Sequence, residues 1–266
     1  MPISLAISAD PPYEKRLLER ANDLASRLGL PVCKLGEASG GMRLVVTSRR
    51  LELRVEQGEL AGGNAVYADL SKLDTTSPAG RSLNNPLYKA VGIKKGDAHR
   101  PHVLDCTAGL GEDAWLLAAN GCAVDALERQ PIIAMLLEDA LERAARIHPG
   151  IAGRITLHHA DAATWTGCLS NPSDSQNQAE TALPDAIVLD PMFPQGRKAA
   201  ERKPMRVLRM LAGDDDDADA LLGAALATGV HRVAVKRPLH APPLDARRAP
   251  DVVHKGKAVR FDVYIQ

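Results

Sequence analysis

Apolar positions along this chain fall into helical stripes and short aliphatic runs. Within residues 12–29, Leu17, Leu18, Ala21, Leu24, Ala25 and Leu28 recur at helical spacing, and Gly29 supplies a stop signal. Residues 43–47 and 51–55 read as strands separated by the basic turn Ser48-Arg49-Arg50, and residues 65–70 read as a third. The softer stretch 71–80, ending near Ser77-Pro78, has the character of a linker. These signals predict a small α/β unit over residues 1–75 and a larger unit over 76–266.

In the larger unit the two patterns alternate. A short helix is expected over 83–91. Strands are expected at 103–105, 122–127, 155–158, 186–189, 232–235 and 258–265, with helices over 112–120, stopped by Gly121, and 131–146, with Pro131 early. Such alternation implies a parallel sheet with helices on both faces. Residues 170–182 are rich in Ser, Asn, Gln and Asp and read as a surface insertion. The acidic run Asp214 to Asp217 reads as a solvated turn at a helix N-terminus.

Composition narrows the class. The chain has 266 residues, enough for one large domain or one domain with a small companion. It is 45% hydrophobic but only 3% aromatic, so the core must be aliphatic. Formal net charge is zero, so any nucleic-acid surface must be a local patch. No apolar run is long enough for a bilayer, and Met1-Pro2-Ile3-Ser4 lacks a secretory pattern, so a cytoplasmic protein is expected. Cys33, Cys106, Cys122 and Cys168 form no CxxC pair; reduced thiols and no metal site are expected.

The chemistry gathers at strand ends. Asp105-Cys106-Thr107-Ala108-Gly109-Leu110-Gly111 joins the first main strand to a helix, where Gly109 and Gly111 let the backbone approach a ligand. Ala114 stands where a dinucleotide fingerprint has its third glycine, a replacement that leaves an NAD-dependent oxidoreductase open. Glu128 ends the second strand, where nucleotide folds place an acid on ribose hydroxyls. Asp161 follows the third strand and can accept from an exocyclic adenine amine. Asp190-Pro191-Met192-Phe193 ends the fourth. Its carboxylate can accept from an amine, its prolines stiffen the turn, and Phe193 offers a stacking face. The plain alternative is a Pro-bounded turn with Phe193 in the core.

The Asp-x-x-x-Gly-x-Gly turn, ribose acid, adenine-side acid and Asp-Pro-x-Phe loop occur in the order found in S-adenosylmethionine-dependent methyltransferases. More narrowly, the chain resembles the bacterial small-subunit ribosomal RNA methyltransferase J family. The resemblance runs from about Lys89 to the C-terminus. It rests on residues 105–114, Leu127-Glu128-Arg129, Leu189-Asp190-Pro191-Met192-Phe193-Pro194, Val235-Lys236-Arg237-Pro238, Lys255-Gly256-Lys257 and Arg260-Phe261-Asp262-Val263-Tyr264. It implies a Rossmann-like class I methyltransferase sheet, S-adenosyl-L-methionine as cofactor, and methylation of the exocyclic N2 of a guanine in 16S rRNA, free or in the small subunit. Cofactor contacts would fall on Asp105, Gly109, Gly111, Glu112, Asp113, Glu128, Arg129, Asp161, Ala162 and Asp190. Members of the family often carry Arg where this chain has Glu112, so a backbone contact survives there more readily than a side-chain one.

By this reading Asp190 and Phe193 carry the catalysis, Asp190 accepting from the amine and Phe193 stacking on the base. The cations Arg197, Lys198, Arg202, Lys203, Arg206 and Arg209 follow the loop directly, and Lys236, Arg237, Arg247, Arg248, Lys255, Lys257 and Arg260 come from later rims. Basic residues this near the site suit RNA phosphates. Two other functions use the same features: amine methylation on DNA or another RNA, and a non-catalytic RNA-binding assembly factor that keeps the fold.

Overall fold

The computed structural model describes residues 4–35, 37, 41–78, 80, 82–170, 183–192, 203–213 and 217–266. The N-terminal unit contains β1 (Ser4–Asp10), α1 (Lys15–Leu28), β2 (Gly41–Thr47) and β3 (Leu51–Val55). β1 pairs parallel with β2, and β2 antiparallel with β3. Gly29, at φ +65°, ends α1 by donating its N–H to Ala25 O. The expected strand over 65–70 does not form. Val66 makes only an isolated bridge to Leu53, and Leu70–Lys72 is a 3₁₀ turn.

The main unit follows as α2 (Pro86–Ala90), β4 (His102–Asp105), α3 (Glu112–Ala119), β5 (Ala123–Leu127), α4 (Pro131–Ala145), α5 (Pro149–Ala152) and β6 (Ile155–His158). It continues through α6 (Ala162–Ser170), β7 (Ala186–Leu189), α7 (Lys203–Ala212), α8 (Ala218–Ala227), β8 (Arg232–Pro238), β9 (Val252–Lys255) and β10 (Val259–Ile265). The insertion expected over 170–182 lies outside the described residues except for Ser170, which closes α6. The acidic run lies outside them too, except for Asp217 at the N-cap of α8.

Seven strands form one sheet in the order β6-β5-β4-β7-β8-β10-β9. The first five are parallel, as the alternation predicts. The closing strand departs from that expectation. β9 reaches β10 through the short turn 256–258, a connection too short for a parallel crossover, and β10 inserts antiparallel between β8 and β9.

Alternate residues of the strands face two cores. Val103, Ala186, Val188 and Ala234 pack against α2, α3 and α4, with Trp115 buried among them. Leu104, Ile187, Leu189, Val233 and Val235 pack against α6 and α8. The sheet is therefore covered on both faces.

Helix α4 is buried on two sides. Leu137, Ala140 and Ala144 face the large sheet, while Ile132, Ile133, Met135 and Leu136 share a second cluster with α1, β2, β3, Val207 and Leu208. Each such aliphatic side chain contributes roughly 1.5–3 kcal/mol on burial. Ion pairs Arg20–Asp139 and Arg27–Glu138, both 2.8 Å, clamp α1 along α4. The Gln130 side chain caps α4 by accepting from Ile132 N–H at 2.6 Å and Ile133 N–H at 3.1 Å.

At the C-terminal strand, buried Arg260 donates to Asp262 at 2.7 and 2.9 Å and to the carbonyls of Pro238, Leu239 and Ala241. Removing one partner of a buried pair leaves an uncompensated charge. Asp262→Ala is predicted to lower stability by about 3–5 kcal/mol in urea unfolding; a loss below ~1 kcal/mol contradicts this role.

Candidate active site

Parallel strands in register bring their C-terminal ends to one rim. Asp105 closes β4, Glu128 follows β5, Asp161 precedes α6, and Asp190 follows β7. β4 pairs with both β5 and β7, so Asp105 sits centrally. The pairing Leu189↔Val235 puts Asp190 beside Lys236 of β8. Between these ends lies a cavity of about 280 Å³, lined by Asp105, Gly109, Glu112, Asp113, Glu128, Arg129, Asp161, Ala162, Asp190 and Lys236, among others.

The glycine turn is shaped by two different needs. Gly111 has φ +82°, and a Cβ there would stand 2.4 Å from Leu137 Cδ1 of α4. Gly111 therefore serves packing and does not line the cavity. Gly109 has φ +54°, and a Cβ there would meet no atom nearer than Thr107 O at 3.9 Å. Gly109 does line the cavity, so the space it leaves is open to a ligand.

Glu128, Asp105, Asp113, Asp190 and Asp161 on the rim each meet a donor or a cation. Glu128 accepts Gly109 N–H at 2.9 Å on one oxygen and Gln130 N–H at 2.7 Å on the other. Asp105 accepts Thr107 N–H at 3.1 Å, and Thr107 Oγ1 in turn accepts Asp190 N–H at 2.6 Å. Lys236 Nζ lies 2.8 Å from Asp113 Oδ2 and 2.9 Å from Asp190 Oδ2. Asp161 accepts from Thr164 N–H at 2.9 Å and so caps α6. Arg129 reaches across the rim to Asp217 at 2.8 Å.

Electrostatics follow from this crowding. Asp105 is buried, and burial together with the Asp113 and Asp190 charges pushes its carboxyl up to about 7, against the opposing Thr107 N–H and Lys236. Burial pulls Lys236 down, but Asp190 and Asp113 more than offset it and hold the ammonium above the usual lysine range.

The rim thus gathers Asp105, Gly109, Glu112, Asp113, Glu128, Arg129, Asp161, Ala162 and Asp190 around one cavity. Phe193, Arg197, Lys198 and Arg202 lie outside the described residues. Lys203 opens α7 and donates to Gly62 O. Three cations expected to meet phosphate have partners inside the fold. Lys236 is bound to two carboxylates. Arg237 is buried and donates to Pro242 O at 3.0 and 2.7 Å. Arg260 is held by Asp262. In a strand, successive side chains take opposite faces, so adjacent basic residues do not make one basic surface. Sequence reasoning misses Thr107, whose place inside the glycine turn is the available signal. It also misses Met205, Leu208 and Ala212 of α7, which wall the cavity.

The family model described as "Putative SAM-dependent methyltransferase" matches residues 23–266. The chain belongs to this methyltransferase family. This methyltransferase is 42% identical to ribosomal RNA small subunit methyltransferase J of Thioalkalivibrio sulfidiphilus, over 254 residues and 94% of each chain. It is 40% identical to the protein of that name from Coxiella burnetii over 265 residues, 98% of this chain and 97% of the other. A SAM-dependent methyltransferase structure from Neisseria gonorrhoeae matches with a TM-score of 0.65 at 26% identity, covering 98% of this chain and 95% of that one.

The rim suits S-adenosylmethionine, the cofactor of this methyltransferase. Gly109 leaves room for close approach, Glu128 lines the cavity beside it, and the carboxylates there are acceptors for hydroxyls and amines.

Asp105 also gives the methyltransferase a pH signature. Its folded pKa lies above the unfolded value, so the folded state holds the extra proton and stability falls as pH rises from about 4 through 7. In urea unfolding at pH 5 and pH 8, wild type should lose stability between the two while Asp105→Asn loses less. Equal slopes for the two proteins contradict the assignment.

Proposed function

We propose that this enzyme methylates the exocyclic N2 amine of a guanosine in 16S rRNA of the small ribosomal subunit. The observation that carries the reading is the position of Asp190 in the cavity lining. Its N–H is tied to Thr107 at 2.6 Å and its Oδ2 to Lys236 at 2.9 Å. The names of the relatives supply the ribosomal RNA, and a substrate of that kind puts the enzyme to work in the cytoplasm.

The guanine amine is a weak nucleophile because its lone pair is delocalised into the ring. S-adenosylmethionine, when bound, supplies an activated sulfonium methyl. What the chain must add is alignment. Glu128 would hold the ribose hydroxyls, Asp161 and Ala162 the adenine, and the 109–113 turn the remainder, with Glu112 acting through its backbone. Asp190 would accept an N–H of the guanine amine and so stabilise positive charge growing on nitrogen. The proton shed by nitrogen leaves to water. Phe193 would stack on the base, worth about 1–3 kcal/mol. Met192 and Met205 add apolar side chains to the cavity lining. RNA phosphates fall to the 197–209 segment, including Arg197, Lys198, Arg202 and Lys203.

In this division residues 76–266 carry the transfer chemistry. The unit 1–75 braces α4 and α7, whose residues Ile133 and Leu208 also line the cavity.

Tritium transfer from labelled cofactor to 16S rRNA, small subunits and DNA tests the proposal. Transfer to the ribosomal substrates is expected. Asp190→Ala should lower its rate about 100-fold or more while cofactor affinity changes far less. Near-wild-type transfer by that variant, or transfer to DNA in preference, contradicts the reading.

A further inference from the structure

The cavity holds more negative charge than one bound substrate amine requires. Asp105 from β4, Asp113 from α3 and Asp190 after β7 converge there, and among the described residues Lys236 of β8 is a cation paired with two of them. Its Nζ sits between Asp113 Oδ2 at 2.8 Å and Asp190 Oδ2 at 2.9 Å, with Asp105 buried behind. The side chain is mostly covered, at 24% exposure. A phosphate reaching this ammonium would have to displace two carboxylates and enter a field they dominate.

We propose that Lys236 is a positioning residue for methyl transfer: it is the counter-ion that keeps the Asp190 carboxylate ionised and turned into the cavity, and it does not contact RNA phosphate. The inference rests on the assignment of Asp190 to the substrate amine made above.

Three physical points support it. Strand register fixes the pair, because Leu189↔Val235 makes Asp190 and Lys236 neighbours before any side chain is chosen. An ammonium has three donors and can serve two carboxylates at once. The same ion pairs hold Lys236 protonated, which removes it as a base for the amine proton and leaves it only as a charge. Without it, Asp105, Asp113 and Asp190 repel one another, and such a cluster relieves itself by taking up protons. Protonated, Asp190 could donate where it needs to accept. Lys236 also bridges Asp113 on the cofactor side to Asp190 on the substrate side, so both are set by one group.

The test is the pH profile of single-turnover methyl transfer at saturating rRNA for wild type, Lys236→Met, Lys236→Arg and Asp190→Asn. In Lys236→Met the acid limb should move up by about 1–3 pH units, with the rate near neutrality falling roughly tenfold or more and recovering as pH rises. Lys236→Arg, which keeps the cation, should leave the limb in place. Salt dependence of rRNA binding should match wild type in both. An unmoved acid limb in Lys236→Met overturns the proposal. So does a salt slope lowered by about one with a normal profile, the signature of a lost phosphate contact.

Should Lys236→Met not fold, wild-type protein carrying 13C at lysine Cε decides the same point. The Lys236 signal should remain that of an ammonium to pH 11 or so, above the ordinary lysine midpoint of about 10.4, and should not shift when an rRNA fragment is added. Ordinary lysine titration, or a shift with RNA, overturns the proposal. Asp190→Asn separates the two levels. Wild-type transfer by Asp190→Asn defeats the functional reading itself, whereas an inactive Asp190→Asn with an unmoved Lys236→Met profile defeats this inference alone.

Discussion

Carboxylates gathered at the end of a parallel sheet destabilise the fold unless each meets a donor or a cation. This constraint organises the rim. Glu128 is matched by the N–H groups of Gly109 and Gln130, Asp161 by the first turn of α6, and Asp190 and Asp113 by Lys236. Asp105, the most deeply buried, has one backbone donor and a share of the Lys236 field, and its carboxyl rises to about 7 as a result. The chemistry of the site and the cost of building it are therefore one problem. The groups that neutralise the acids also fix where their remaining lone pairs point.

Thr107 links the two halves of that arrangement. Its N–H holds Asp105 at the end of β4, and its hydroxyl receives the N–H of Asp190 at the end of β7. The glycine turn and the loop after β7 are thus joined by a single side chain. Behind them, Gly111 lets α3 start against Leu137 of α4, and α4 carries the contact outward to the N-terminal sheet. A chain of packed elements runs from β2 and β3 through α4 to the glycine turn, so the small unit supports the wall of the cavity from behind.

Much of this is legible in the sequence. Strands β4 and β7 are short, largely aliphatic runs ended by acids, and each can be placed within about a residue because a strand buried on both faces admits little else. The glycine turn is legible from residue type alone. Other elements give no such signal. β1 alternates Ser and Ala with Leu and Ile too weakly to stand out, although Ile7 is fully buried in it. β9 is a four-residue edge strand with Val252 and Val253 largely exposed, and only its pairing with β10 defines it. The role of Lys236 escapes the sequence for a different reason. Its partner Asp113 stands 123 positions earlier, and only the folded register brings the two together. Adjacent Arg237 and nearby Arg260 look basic in sequence and are spent on carbonyls and on Asp262 inside the fold.

The central claim is that this rim delivers a methyl group to guanine N2 in small-subunit rRNA through Asp190. The most direct measurement is mass spectrometry of 16S rRNA nucleosides from cells lacking the protein, complemented with wild type or with Asp190→Ala. The account predicts that one N2-methylguanosine is missing without the protein, returns with wild type, and stays missing with Asp190→Ala. An unchanged nucleoside profile in the deletion strain, or full restoration by Asp190→Ala, would contradict it.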